Sequence, residues 1–176
     1  MTDAPTIRRV TDPSEAEIEG LVDVVLDCLA GGASFGFMHG LTRERARDFW
    51  HDVSAGLARG DRALLVAEDE HGICGTVQLR FPAPDNQPHR GDVAKMLVHR
   101  RARRRGLGAA LMEAIVAVAR EEGRTLLVLD TETGSAADRL YTRLGWQRVG
   151  EIPAYALYAD GRPCPSTFFY LRVGPG

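Results

Sequence analysis

Hydrophobic residues recur at helical spacing in the first third of the chain. Ser14 and Glu17 have the spacing of a capping box, and apolar residues then recur at intervals of three and four as far as Leu29. We therefore expect a first helix that begins after Ser14. The glycine-rich segment Gly31–Gly40 interrupts this pattern, and a more polar stretch from about Thr42 to Arg59 predicts a second helix.

Extended segments follow in the middle of the chain, where apolar runs are short and bounded by turn residues. The runs ALLVAE and ICGTVQLRF, separated by the turn-like DEHG, predict two antiparallel strands, and VAKMLV predicts another. From Leu107 to Val118 the apolar residues return to helical spacing. The next run, LLVLD, is apolar up to its aspartate, which is typical of a strand buried on both faces. This order predicts a strand, helix, strand crossover.

The C-terminal part of the pattern completes a sheet. SAADRLYTRLG predicts a short helix ending at Gly145, and WQRVGEI with STFFYLRV predicts a closing pair of strands around a DGRPCP turn. The chain has no internal repeat and no low-complexity linker. We expect one α/β domain over residues 1–176, with a mixed sheet of six or seven strands and helices on both faces.

The charge balance argues against two classes of partner. Basic and acidic side chains nearly cancel among the 176 residues, with a formal net charge of -2. No overall field attracts nucleic acid or an anionic membrane, so any anion site must be local. No apolar run approaches the roughly 20 residues of a spanning helix, and the N-terminus lacks a signal core. We expect a cytoplasmic protein that binds neither nucleic acid nor membrane.

Cysteine and histidine usage predicts no metal site. Cys28, Cys74 and Cys164 are odd in number and far apart, which suits neither a disulfide framework nor a paired metal-ligand motif. The five histidines form no H-E-x-x-H motif and none lies beside a C-x-x-C pair. We expect reduced, mostly buried cysteines and no bound metal.

The densest cluster of charge is HRRARRRGLG, residues 99–108, between a predicted strand and a predicted helix. A helix start carries unpaired N–H groups and the positive end of the helix dipole, so it is a ready site for phosphate. Gly106 and Gly108 would let a diphosphate approach the backbone, and arginine side chains could clamp it. Neither the G-x-G-x-x-G fingerprint nor a P-loop fits. Arg100 and Arg101 could instead form an ordinary solvated face.

The motif that does fit is R-x-x-G-x-G, residues 103–108, preceded by the strand MLV. Here the chain resembles the GCN5-related N-acetyltransferases (GNAT). A second signature of that family, A-x-x-x-Y-x-x-x-G-[FW], matches Ala137, Tyr141 and Gly145-Trp146. The chain departs from the family at Gly134, where many members have Asn, and at Arg100, where Pro is common.

The resemblance implies a GNAT-type, mostly antiparallel mixed sheet and acetyl-CoA as cosubstrate. In the family the glycine turn holds the pyrophosphate, and the preceding strand binds the pantetheine arm through its backbone. A backbone N–H at Met96 would then face the thioester carbonyl. The implied coenzyme-binding residues are Met96, Leu97, Val98, Arg103, Arg104, Arg105, Gly106, Leu107, Gly108, Ala109 and Ala137.

Direct acetyl transfer requires a proton acceptor for the amine and a proton donor for the departing thiolate, without a covalent enzyme intermediate. By resemblance, Tyr141 is the candidate donor, with packing as its alternative role. Asp130 closes LLVLD, so its carboxylate should emerge at the carboxyl edge of the sheet, where it is our candidate base. Capping the following loop is its alternative role. Glu132 and Asp92 rank below Asp130 as weaker alternatives, His89 and His99 could be ordinary surface histidines, and we assign none of the four a catalytic role.

The C-terminal half looks closest to tabtoxin-resistance acetyltransferases and their relatives, which acetylate a β-lactam-bearing amino acid. This resemblance implies a small-molecule amine substrate and a detoxification role. A zwitterionic acceptor would need a carboxylate partner, for which an arginine or backbone amides could serve. The segments Gly31–Gly40 and Tyr155–Tyr158 are the expected walls of the acceptor site. The sequence leaves open an aminoglycoside, a polyamine or a protein amine, a non-catalytic coenzyme sensor, and a monomer or a homodimer.

Overall fold

The computed structural model describes residues 4–174, which form one seven-stranded sheet and four α-helices. The helices are α1 (Glu15–Ala30), α2 (Arg43–Arg59), α3 (Leu107–Glu121) and α4 (Ala136–Arg143), with a single 3₁₀ turn at Arg100–Ala102. The strands are β1 (Thr6–Val10), β2 (Arg62–Asp69), β3 (Gly72–Arg80), β4 (Arg90–Val98), β5 (Leu126–Glu132), β6 (Gln147–Leu157) and β7 (Pro163–Arg172).

The two N-terminal helices begin and end where the sequence places them. Ser14 accepts a hydrogen bond from the Glu17 N–H, and the Glu17 carboxylate accepts one from the Ser14 N–H at 2.8 Å, so the capping box is confirmed. Thr42 caps α2, and Gly60 ends it with a φ of 74°, a left-handed conformation that glycine adopts without a steric penalty.

The sheet has the strand order β1-β2-β3-β4-β5-β7-β6, in which only β4 and β5 are parallel. The other neighbouring pairs are antiparallel, which confirms a mixed and mostly antiparallel sheet. The parallel pair is joined through α3, so the strand, helix, strand crossover is also confirmed.

Each face of the sheet carries its own hydrophobic core. Residues of α3, together with Tyr141 and Trp146, pack on one face. Residues of α1 and α2, centred on Leu21 and Trp50, pack on the other. α1 contacts β3 and β4, and α2 contacts β2, so these two helices cover only one end of their face. No helix within residues 4–174 is long and apolar enough to cross a membrane.

Two strands differ from expectation. In LLVLD, only Leu127 and Leu129 are buried, whereas Leu126 and Val128 are half-buried. The prediction of burial on both faces was wrong, because α1 and α2 do not extend over that side of β5. Strand β6 runs to Leu157, well beyond WQRVGEI, because it stays paired with β7 through a change of register.

Candidate active site

The sheet opens between its two parallel strands. Residues Arg90, Gly91 and Asp92 of β4 pair with 126–128 of β5, and no pairing between the two strands is present beyond Asp92. Both strands continue, β4 to Val98 and β5 to Glu132. Their backbone polar groups that face this opening have no strand partner, so a ligand with amide groups can hydrogen-bond there. The part of β4 that is not paired with β5 includes Met96, Leu97 and Val98.

A bulge distorts β4 inside the opening. Thr76 and Gln78 on β3 face Leu97 and Ala94, so β4 has one extra residue between these pairs. Lys95 lies in the bulge with a φ of 52°, which is rare for any residue with a side chain. The sheet therefore changes course immediately before Met96, the residue that the resemblance places against the thioester.

The segment Arg103–Gly108, which we call the phosphate turn, ends at the start of α3. Gly106 is the N-cap residue, with a φ of 76° and no side-chain cap for the first helical N–H groups. Nothing lies within 4 Å of where a Gly106 Cβ would be. Uncapped donors beside open space suit an anion such as a pyrophosphate. Leu107 and Ala109 contribute their backbone N–H groups to this helix start.

Gly108 is needed for close packing as well. A Cβ on Gly108 would lie 3.1 Å from Leu140 Cδ2 and 3.8 Å from Met96 Sδ. The start of α3 therefore lies directly against α4 and against the bulged part of β4. This close approach joins the phosphate turn to the opening in the sheet.

The arginines of residues 99–108 divide into two groups. Arg100 pairs with Asp27 at 2.8 Å, and Arg101 pairs with Asp69 and donates to the Ile73 carbonyl. These two side chains tie the 3₁₀ turn to α1 and to the β2–β3 hairpin, and both residues remain exposed at the surface.

The remaining arginines belong to the phosphate turn itself. Arg103 Nε donates to the Val98 carbonyl at 2.9 Å, so its guanidinium folds back along β4. Arg104, with a φ of 61°, and Arg105 are exposed at the outer side of the turn. All three arginines of the turn are exposed, and Arg103 is the one that contacts the β4 backbone.

Helix α4 brings Tyr141 towards the opening. Ser135 caps the helix, and Gly134 just before it has a φ of 74°, a conformation that only Gly and Asn adopt readily. The Asn-to-Gly departure is therefore compatible with the same turn. Ala137 lies in the first turn of α4 and packs against the α3 core.

Tyr141 is 5% exposed and packs between aromatic rings. Its ring centroid lies 6.0 Å from that of Trp146 and 6.0 Å from that of Phe169. Burial, followed by the negative charge of Asp130, raises the pKa of the Tyr141 hydroxyl. The hydroxyl therefore stays protonated at physiological pH and lies close enough to Asp130 to feel its charge.

Asp130 lies inside β5 rather than at its end. It pairs with Phe168, and β5 continues to Glu132 alongside β7, so the prediction that Asp130 closes the strand was wrong. It nevertheless lies beyond the last β4–β5 pair, where the sheet has already opened. Asp130 is exposed as a whole residue, but desolvation of its carboxyl group raises the pKa, and a hydrogen bond from Ser166 and the charges of Arg80 and Lys95 act in the opposite direction.

The four residues ranked below Asp130 have other contacts. Asp92 pairs with Arg90 at 3.2 Å, and the His99 ring nitrogen Nδ1 accepts from the Arg101 N–H at 3.2 Å. Glu132 faces Tyr158, and its negative charge raises the pKa of that phenol to about 12. His89 lies in the loop before β4, where its carbonyl accepts from two backbone N–H groups.

The two predicted acceptor walls meet in the structure. Ser34 Oγ donates to the Leu157 carbonyl at 3.1 Å, and the His39 N–H donates to the Ala159 carbonyl at 3.0 Å. The loop between α1 and α2 therefore reaches across to the end of the β6–β7 hairpin. On the hairpin side, Tyr155 packs edge-on against Phe168 with centroids 5.0 Å apart.

Sequence reasoning missed three polar side chains beside Asp130. Their strand neighbours Val77, Leu79 and Leu129 point into the α3 core, so Gln78, Arg80 and Asp130 point to the opposite face. The Lys95 side chain lies on the same face, where its Nζ donates to the Phe35 carbonyl at 2.8 Å. We call Gln78, Arg80, Lys95 and Asp130 the acceptor face. The available signal was the pair of polar residues in GTVQLR and the lysine in VAKMLV.

Cysteines and candidate metal ligands add no chemistry to the site. Cys28, Cys74 and Cys164 are free and buried, which confirms the expectation for them. Within residues 4–174, no cluster of His, Cys, Asp and Glu side chains is arranged to hold a metal ion.

The chain matches the Acetyltransferase (GNAT) domain family over residues 60–148. It is 31% identical over 158 residues to an uncharacterized N-acetyltransferase in the hisH-hisA intergenic region of Azospirillum brasilense, covering 88% of this chain and 92% of that protein. It is 32% identical over 132 residues to an L-methionine sulfoximine/L-methionine sulfone acetyltransferase of Pseudomonas aeruginosa, covering 73% of this chain and 74% of that protein.

A solved structure shares the whole fold. The phosphinothricin acetyltransferase of Sinorhizobium meliloti, determined in complex with AcCoA, superimposes with a TM-score of 0.81 over 99% of this chain and 91% of that one. The two sequences are 18% identical, so this likeness concerns the fold alone.

Proposed function

The chain belongs to the GNAT acetyltransferase family and is an acetyl-CoA-dependent N-acetyltransferase, and from this premise we propose that it acetylates the primary amine of a small amino-acid toxin or antibiotic. The observation that carries the proposal is the opening between β4 and β5. The uncapped start of α3 lies at one side of this opening. On the other side lie β5, which carries Asp130, and α4, which carries Tyr141.

On the coenzyme side, we propose that the phosphate turn holds the pyrophosphate through the first N–H groups of α3. Arg104 and Arg105 would add charge from outside, and Arg103 would fix the turn to β4. The backbone of Met96, Leu97 and Val98 would bind the pantetheine arm, and Ala137 would leave room for it beside α4. Acetyl-CoA supplies the activated acetyl group.

On the acceptor side, we propose that Asp130 receives the proton of the amine. Its raised pKa makes its carboxylate a better base than an ordinary aspartate. Tyr141 would offer its proton to the departing sulfur. Burial makes a tyrosinate anion costly at this position. Tyr141 must therefore either take up another proton while it transfers its own to the sulfur, or stabilise the sulfur by a hydrogen bond without full proton transfer.

The acceptor class rests on the relatives. The Pseudomonas relative acts on L-methionine sulfoximine and L-methionine sulfone, and the Sinorhizobium structure is a phosphinothricin acetyltransferase. These names agree with the resemblance to tabtoxin-resistance enzymes. An aminoglycoside, a polyamine or a protein amine would be the alternative acceptor.

We further propose that residues 1–176 act as one domain, as a monomer or a homodimer, in the cytoplasm and without nucleic-acid or membrane partners. The buried, unpaired cysteines are compatible with a reducing compartment.

A thiol-release assay tests the proposed function. Acetyl-CoA is supplied with a panel that includes L-methionine sulfone, an aminoglycoside, spermidine and a lysine-containing peptide. We expect release of coenzyme A that depends on the amino acid. Coenzyme binding without release for any amine would instead identify a sensor.

A further inference from the structure

Lys95 adopts a backbone conformation that a glycine would adopt at lower cost. Its φ of 52° lies in the left-handed region, where a residue with a side chain is strained by about 1 kcal/mol or more. Such strain persists where the side chain is needed at that position. The Lys95 side chain leaves the bulge and enters the acceptor face, where a Cβ on Gly36 would lie 3.4 Å from its Nζ.

The Lys95 ammonium is only partly satisfied by the protein. It donates to the Phe35 carbonyl at 2.8 Å and lies 5.6 Å from the centroids of Phe37 and Phe49. An ammonium group has three donors, and no ion pair with Lys95 exists within the described part of the chain. Burial and the charge of Arg80 lower its pKa, and the opposing charge of Asp130 does not outweigh them.

Two neighbours on the same face, Gln78 and Arg80, also carry hydrogen-bond donors. Gln78 is 1% exposed, and its Nε2 is buried with no hydrogen-bond acceptor. It pairs across the sheet with Ala94, the residue before Lys95. Among residues 4–174, Arg80 forms no ion pair with any of the acidic side chains. A buried amide donor without an acceptor is costly, so an acceptor group from outside the chain fits here.

These donors face an acid on the other side of the opening. Asp130 lies on β5, and the charges of Lys95 and Arg80 both act on it. The acceptor face thus offers cationic and amide donors on β3 and β4, and a carboxylate on β5. This is the charge complement of a zwitterion whose anionic group and amine are a few bonds apart.

From this juxtaposition we infer that Lys95 binds the carboxylate of an α-amino-acid acceptor, with Gln78 and Arg80 beside it, while Asp130 takes the amine. The inference rests on the proposed acetyl transfer and names the part of the acceptor that is recognised. It also disfavours polyamines and aminoglycosides, because two unpaired cations repel a polycation.

The test compares L-methionine sulfone with its α-carboxamide, which keeps the amine and side chain but has no negative charge. Calorimetry measures the affinity of each for the protein saturated with coenzyme A, and thiol release is followed in parallel. We expect the acid to bind roughly ten- to a hundredfold more tightly than the amide, as a charge-assisted hydrogen bond allows.

Three variants separate recognition from loop packing. Lys95→Met should reduce the preference for the acid to about threefold or less, Lys95→Arg should retain most of it, and Arg80→Met should reduce it partly. If Lys95 only anchors the loop, Lys95→Met will weaken both ligands equally. Equal weakening, or no preference in the unmodified protein, overturns the inference.

Binding and turnover report on different claims. Preference for the acid that depends on Lys95, without thiol release, would remove the proposed transferase reaction on this acceptor and leave the recognition site standing. Turnover of the amide and of spermidine as fast as the acid would leave the transferase proposal standing and reject carboxylate recognition. Failure of both compounds to bind also rejects it.

Discussion

The phosphate turn and the acceptor face lie at the same opening but are built from different parts of the chain. The phosphate turn is one continuous segment, residues 103–108, that offers backbone donors at a helix start. The acceptor face combines side chains of β3, β4 and β5, and its roof comes from a loop some 60 positions before Lys95.

This difference follows from what each half must do. A coenzyme is the same in every turnover, so backbone groups suffice to bind it, and side chains can vary around them. An acceptor must be distinguished from other amines, and that discrimination depends on side-chain charge and shape. Substitutions at the two halves should therefore affect different measurements.

The largest effect is expected from Gly108→Glu in the phosphate turn. The new carboxylate would lie near the first N–H groups of α3 and repel a pyrophosphate, so acetyl-CoA affinity should fall by roughly a hundredfold or more. Isothermal calorimetry measures this directly. Gly108→Ala is the matched control, because it introduces the 3.1 Å contact with Leu140 without a charge. Unchanged affinity in a folded Gly108→Glu protein would show that the phosphates bind elsewhere.

Tyr141→Phe should affect turnover and leave both ligands bound. The ring fits the same space between Trp146 and Phe169, and only the hydroxyl is lost. If the hydroxyl assists the departing sulfur, kcat should fall by about a hundredfold, the usual scale for general acid catalysis. Stopped-flow thiol release measures kcat, and calorimetry checks both affinities. Turnover like that of the unmodified protein would return Tyr141 to a packing role.

Asp130→Asn should change the pH dependence of the reaction. A base must be deprotonated to act, so kcat/KM rises with pH through the pKa of the base, which gives the pH profile a rising limb. Because the pKa of Asp130 is raised, this rising limb should lie above the ordinary aspartate range. The variant should lose about tenfold to a hundredfold in kcat/KM and lose the limb, with normal coenzyme affinity. A limb that persists in Asp130→Asn but disappears in Glu132→Gln would assign the base to Glu132.

The smallest effect concerns stability, again with Asp130→Asn. Because the folded-state pKa of Asp130 is raised, the ionised carboxylate destabilises the folded protein at neutral pH. Because the residue is exposed, solvent screens this charge, and removing it should raise Tm by no more than about 1 °C at pH 7. The gain should shrink as the pH falls through the folded-state pKa towards the ordinary value of 3.8, because both proteins are then neutral at this position. Calorimetric scans at several pH values measure it, and an equal gain at every pH would contradict the charge explanation.

Local pattern determined most of the fold. The capping box at Ser14, the period of α1 and α3, and the glycine at the start of α3 act through residues within a few positions of one another, so they can be recognised in the sequence. The positions of the phosphate turn and of Tyr141 follow from the same local motifs. The order of the predicted helices and strands along the chain was enough to predict the mixed sheet.

Tertiary structure decided what surrounds the acceptor. The length of β5 beyond Asp130 depends on pairing with β7, which no local signal in LLVLD contains. The bulge at Lys95 depends on the register of β3 against β4, and the same residue in a regular strand would point elsewhere. Lys95 meets Phe35 only because a loop folds back over the sheet, and such long-range contacts are set by the packing of whole elements rather than by neighbours in the chain.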